Sequence, residues 1–73
     1  MLLTAIVRRE DDHYVALCPE LDVASQGDTV EEATDNLKEA AELLLECACE
    51  DELRCRLKTR VYVTHFEAHV GEA

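Results

Sequence analysis

The chain of 73 residues contains little glycine, proline or aromatic residue, and it contains no tryptophan. Its two glycines, Gly27 and Gly71, are too few for the glycine-rich loops that hold phosphate groups in nucleotide-binding enzymes. No apolar run approaches the roughly 20 residues that a membrane-spanning helix needs, and no basic and apolar export signal begins the chain. We therefore expect a cytoplasmic protein with no membrane partner, whose four cysteines stay reduced.

Basic residues are also few, since seven Lys and Arg accompany 17 Asp and Glu and leave a formal net charge of −10. A phosphate surface would repel such a chain, so we expect no direct nucleic-acid partner. The negative charge is concentrated in residues 28–52, where ten acids accompany one base, Lys38. This distribution permits a basic protein as the partner.

A chain this short predicts a single domain, residues 1–73, near the lower size limit for a self-sufficient hydrophobic core. Oligomerisation commonly stabilises such chains when they have neither disulfides nor a structural metal. One helix also cannot cover all the apolar residues that alternate along the first two predicted strands. We therefore expect a homodimer or a larger homo-oligomer. The apolar residues concerned are Leu2, Ile6, Val15 and Leu17.

The hydrophobic pattern predicts four strands in the element order β-β-β-α-β. Alternating apolar residues indicate strands over 2–9 and 13–18, joined by a short acidic turn, and Pro19 ends the second strand. A short third strand is predicted over 22–26. The last strand is predicted over 59–68, where apolar residues again alternate.

A single long helix is predicted over about 30–50. Thr29 and Glu32 have the spacing of a capping box, in which the Thr hydroxyl and the Glu carboxylate accept from each other's backbone N–H. Apolar residues then recur every three or four positions and form one stripe. The stripe residues expected to face the sheet are Leu37, Ala41, Leu44 and Ala48.

The cysteines and histidines do not have the spacing of a metal site. Cys47 and Cys49 lie two positions apart on the predicted helix, on nearly opposite faces. His65 and His69 lie four apart on a predicted strand, which separates them by about 13 Å. We expect no bound metal, and we interpret the cysteines as core or surface thiols.

No catalytic set is recognisable either. Cys18 and His13 are the conceivable nucleophile and base, but they lie five positions apart in one predicted strand and so point to opposite faces. We expect no enzyme activity and no cofactor. The acids of the helix form either a solvated face or a docking face for a partner. The candidate partner-binding residues are the acids off the apolar stripe: Asp35, Glu39, Glu42 and Glu46.

Three stretches in order resemble the HicB-like antitoxin family: the strand HYVALCPEL, the turn SQGDT and the helix VEEATDNLKEAAELLLE. The resemblance covers about residues 3–46. It implies an α+β, two-layer domain of partial ribonuclease-H-like topology, in which one long helix packs on one face of a mixed four-stranded sheet of order 3-2-1-4.

The same resemblance implies a non-catalytic interaction domain that binds and neutralises a small basic mRNA-cleaving toxin of the HicA type. Many family members add a C-terminal DNA-binding segment, and we expect none after the last predicted strand. The resemblance transfers no individual binding residue. The alternative function is a stand-alone oligomeric structural or regulatory module with no toxin partner.

Overall fold

The computed structural model describes residues 1–58 and 60–71, and its regular elements are three strands followed by two helices. The strands form one antiparallel sheet in the order β1-β2-β3. The predicted mixed four-stranded sheet of order 3-2-1-4 with a single long helix is therefore wrong. The elements are β1 (Ile6–Glu10), β2 (His13–Cys18), β3 (Val23–Gly27), α1 (Val30–Cys47) and α2 (Glu50–Lys58).

The β1–β2 hairpin forms where the sequence predicts it. Glu10 pairs with His13 across a two-residue turn, and Asp11 has a φ of 53°, a left-handed conformation that Asp tolerates better than most residues. β2 ends at Cys18 because Pro19 follows and has no N–H for the ladder. β1 begins only at Ile6, so residues 1–5 form an irregular arm rather than the start of a strand.

The predicted strand over 59–68 is not observed. Residue 59 lies outside the described residues, and residues 60–71 contain neither helix nor strand. Alternation predicts which side chains would share a face, but a strand forms only when a neighbouring backbone supplies hydrogen bonds. Within the described residues β1 pairs with β2 alone, so residues 60–71 have no hydrogen-bonded partner strand there.

The predicted helix over 30–50 is divided at Ala48, which is extended (φ −74°, ψ 144°). The Cys49 thiol then accepts from the backbone N–H of Glu52 at 3.4 Å, and α2 begins at Glu50. If α1 continued to residue 52, three acids would lie at the negative, C-terminal end of its dipole. These acids are Glu50, Asp51 and Glu52. At the start of a new helix they meet its positive end instead, which favours the break.

The core lies between α1 and the inner face of the sheet. Ala33, Leu37 and Ala41 of α1 are buried there, and Leu44 packs against them half-buried. Ala48, also predicted to face the sheet, is the half-buried C-cap of α1. The sheet and the loop after β2 contribute the remaining core residues, Ala16, Cys18 and Leu21.

Coverage of the sheet is uneven. α1 packs mainly on β3, less on β2 and least on β1. A cleft of about 420 Å³ therefore remains between α1 and the arm that precedes β1. The opposite side of the sheet, here called the open face, has no covering element among the described residues and exposes Ile6 by 41% and Leu17 by 37%.

Candidate partner-binding surface

The four predicted partner-binding residues form one exposed stripe on α1, here called the acidic stripe. At 100° per residue, Asp35, Glu39, Glu42 and Glu46 fall within an arc of about 60° and span about 16 Å along the axis. All four are exposed, whereas the buried residues of α1 lie on the opposite side. The structure thus brings the four carboxylates together on a surface that the core does not use.

The carboxylates of the acidic stripe have no cationic partner in residues 1–58 and 60–71. Ion pairs occur instead at the hairpin and along α2, where Glu50 pairs with Arg54 and Glu52 with Arg56. Lys38, the base of α1, borders the cleft and forms no ion pair in this part of the chain. Neighbouring like charges three or four positions apart destabilise a helix by about 0.2–0.5 kcal/mol per pair. The stripe contains three such pairs, so it costs stability when no partner is present.

The start of α1, which orients the stripe, is set by Thr29. The Thr29 hydroxyl accepts from the Glu32 backbone N–H at 3.0 Å, which is one half of the predicted capping box. The reciprocal bond, from the Thr29 N–H to the Glu32 carboxylate, does not form in the described residues. Glu31 and Glu32 lie at the positive end of the helix dipole, where carboxylates are stabilised. Their two charges add to the negative charge of this surface.

Gly27 allows α1 to lie close against the end of β3. A Cβ atom at this position would lie 2.6 Å from the backbone nitrogen of Ala33 and 2.8 Å from the carbonyl carbon of Glu32. Asn36 completes the joint, since its side-chain amide donates to the Gln26 carbonyl oxygen at 2.8 Å. The SQGDT turn therefore contributes the close contact and the hydrogen bond that set the angle between α1 and the sheet.

The thiols and imidazoles are the other side chains considered as ligands or nucleophiles. Burial raises the pKa of Cys18, which is 1% exposed, so this thiol stays protonated at neutral pH. His13 lies at the hairpin, near the carboxylates of Glu10 and Asp12. No cluster of three metal-ligating residues occurs in the described part of the chain. The remaining cysteines are exposed: Cys47, Cys49 and Cys55.

One polar cluster was not predicted from the sequence. The Glu20 carboxylate accepts from the Thr4 backbone N–H at 3.0 Å and from the Thr4 hydroxyl at 2.6 Å, and the Cys18 thiol lies 3.6 Å away. The Thr4 hydrogen bonds hold the pKa of Glu20 below its ordinary value. This cluster fastens the arm to the loop after β2. Because Thr4 and Glu20 are 16 positions apart, no local pattern connects them.

The acidic stripe can attract a positively charged surface. Together, the fold and the surface define a small α+β protein with an exposed acidic helix face. None of the described helices is long and apolar enough to cross a membrane.

Comparison with known proteins shows the family. The chain is 49% identical over 51 residues to the UPF0150 protein ssl0738 of Synechocystis sp. (strain ATCC 27184 / PCC 6803 / Kazusa), across 67% of this chain and 71% of the relative. The chain therefore belongs to the UPF0150 family. A scan of family models produced no match. No solved structure matches the chain significantly.

Proposed function

We propose that this protein is a non-catalytic interaction domain that binds and neutralises a small basic mRNA-cleaving toxin, as the resemblance to HicB-like antitoxins implies. The observation that carries the proposal is the acidic stripe, with four exposed carboxylates and no cation paired with them in the described residues. A basic partner would remove the like-charge repulsion along α1. The proposed site of action is the cytoplasm, where reduced thiols such as those exposed here persist.

The acidic stripe would act mainly on the rate of association. Complementary charge steers the encounter of two proteins, and salt screens this attraction over about 8–10 Å at physiological ionic strength. We therefore expect toxin binding to be fast at low salt and to slow as ionic strength rises. The dissociation rate should change less, because it reports the close contacts formed after the encounter.

The test compares two double variants with the same change in net charge. Glu39→Lys with Glu42→Lys reverses the centre of the stripe, whereas Asp12→Lys with Glu67→Lys places the same charge elsewhere on the exposed surface. The probe is a small basic ribonuclease encoded beside this chain, with mRNA cleavage and association rate as readouts. The stripe variant should lose most of its inhibition and its salt dependence, and the control should retain both.

Equal inhibition by the two variants would place the toxin contact elsewhere and contradict the proposal. Two results together would favour the alternative function, a stand-alone module without a toxin. They are a neighbouring gene of unrelated type and a pull-down with the wild-type chain that recovers no basic protein.

That second function is a stand-alone oligomeric structural or regulatory module. It is supported by the open face, where Ile6 and Leu17 are exposed, and by the apolar side chains of residues 60–71. Under either function we propose that the protein is a homodimer or a larger homo-oligomer. An apolar face of this kind on a small protein commonly marks an interface.

A further inference from the structure

We propose that residues 60–71, here called the exposed segment, add as an edge strand to β1 of a second copy of this chain and fill that copy's cleft. The exchange is reciprocal, so each copy supplies one segment and one cleft. The proposal specifies the contacts of the homo-oligomer proposed above, and it does not depend on toxin binding.

The cleft is a site for an extended chain because two surfaces meet there. Its walls are the arm before β1 on one side and α1 on the other, and its lining is largely apolar. The outer edge of β1 has no strand partner in the described residues, so its N–H and C=O groups are available to an added strand. The main apolar lining residues are Leu3, Ala5, Leu37, Ala41 and Leu45.

The exposed segment is rich in the β-branched and aromatic residues typical of strands, but it belongs to no sheet in the structure. Tyr62 is 81% exposed and Phe66 is 89% exposed, and together they are two of the three aromatic residues in the chain. Val70 is 92% exposed. Residues of this size normally occupy cores or interfaces, so their exposure indicates a surface that is covered in the assembled protein.

Both sides of the segment suit burial. In an extended chain Tyr62 and Phe66 would share one side, and Val61 and Val63 the other. A strand buried on both faces needs apolar residues on both. At the edge of β1, one side of an added strand would enter the cleft, and the other would extend the open face beside Ile6.

A second copy accounts for the segment better than its own chain does, because the structure holds the segment away from its own cleft. The radius of gyration is 15.1 Å, whereas a compact chain of this length has about 11 Å. Reciprocal exchange also has the two-fold symmetry of most homodimers. The two aromatic residues would bury about 300–500 Å² per copy. Two copies then approach the roughly 1,000 Å² of a specific interface before the cleft walls are counted.

Sedimentation of the full chain at micromolar concentration provides the first test. The wild type should sediment at twice its 8.2 kDa mass, and Tyr62→Asp with Phe66→Asp should halve this value. Leu43→Asp is the matched control, because Leu43 is 61% exposed on α1 and does not line the cleft, so it should remain dimeric. Circular dichroism should show the helices retained in all three proteins.

A monomeric wild type, a dimeric double variant, or a mass of three or more chains would each overturn the proposal. Cross-linking provides a second test that does not depend on the Asp variants folding. Ala5→Cys and Phe66→Cys are made in separate chains whose exposed cysteines are Ser, then mixed, refolded together and treated with a flexible bis-maleimide.

Exchange predicts a cross-linked pair of chains from the mixture that neither single-cysteine chain gives when it is treated alone. No cross-link in the mixture would refute the exchange. A third protein carries both changes in one chain. If its cross-link forms only within a single chain, at monomer mass, the segment lies in its own cleft and the exchange is refuted.

Discussion

Substitution of Gly27 by alanine tests the packing that sets the direction of α1. The added methyl would lie 2.6 Å and 2.8 Å from backbone atoms of the first turn of α1, which no rotamer change can move away. β3 and α1 must separate, and overpacking of this kind costs about 1–3 kcal/mol. Reduced freedom of the unfolded chain offsets about 0.4–1 kcal/mol of this. We expect a net loss of about 1–2 kcal/mol in the free energy of unfolding.

The assay is urea unfolding followed by circular dichroism, in which a lower midpoint at constant slope reports lost stability. For a chain of this size each kcal/mol also lowers the melting temperature by about 4–8 °C. Gly71→Ala is the matched control, because a Cβ at Gly71 would have no neighbour within 4 Å and should change stability by less than about 0.5 kcal/mol. Equal midpoints for the two variants would refute the reasoning.

Two further predictions concern the core and the arm. Leu37→Ala should lower the free energy of unfolding by about 2–5 kcal/mol in the same assay, because Leu37 is 4% exposed. A loss below about 0.5 kcal/mol would mean that Leu37 is not in the core. The folded-state pKa of Glu20 lies below its unfolded value, so its contribution to stability is present above the unfolded pKa and is lost as pH falls through the folded pKa. Thr4→Val removes the hydroxyl donor, so it should raise the pKa of Glu20 in an NMR titration and reduce the loss of stability in acid. An unchanged titration would show that the 2.6 Å hydrogen bond between Thr4 and Glu20 does not form in solution.

The elements whose cause is local could be predicted from the sequence. β2 has the bounds that alternation and Pro19 predict, because side-chain period and a missing N–H act within a few residues. Thr29 caps α1 as its spacing indicates, and the acidic stripe is exposed because helical periodicity places it opposite Leu37 and Ala41. The break at Ala48 was also encoded locally, in the acids that begin α2, although apolar spacing alone does not reveal it.

The pairing of segments that are distant in the chain depends on the tertiary structure. Residues 60–71 have the alternation of a strand but no strand partner in the described chain, because alternation specifies faces and not neighbours. The bond between Thr4 and Glu20 and the close approach at Gly27 likewise join segments that no short-range pattern relates. The cleft exists because α1 lies over β3 and β2 rather than β1. Periodicity is a property of neighbouring residues, whereas coverage of a surface depends on how whole elements pack in space.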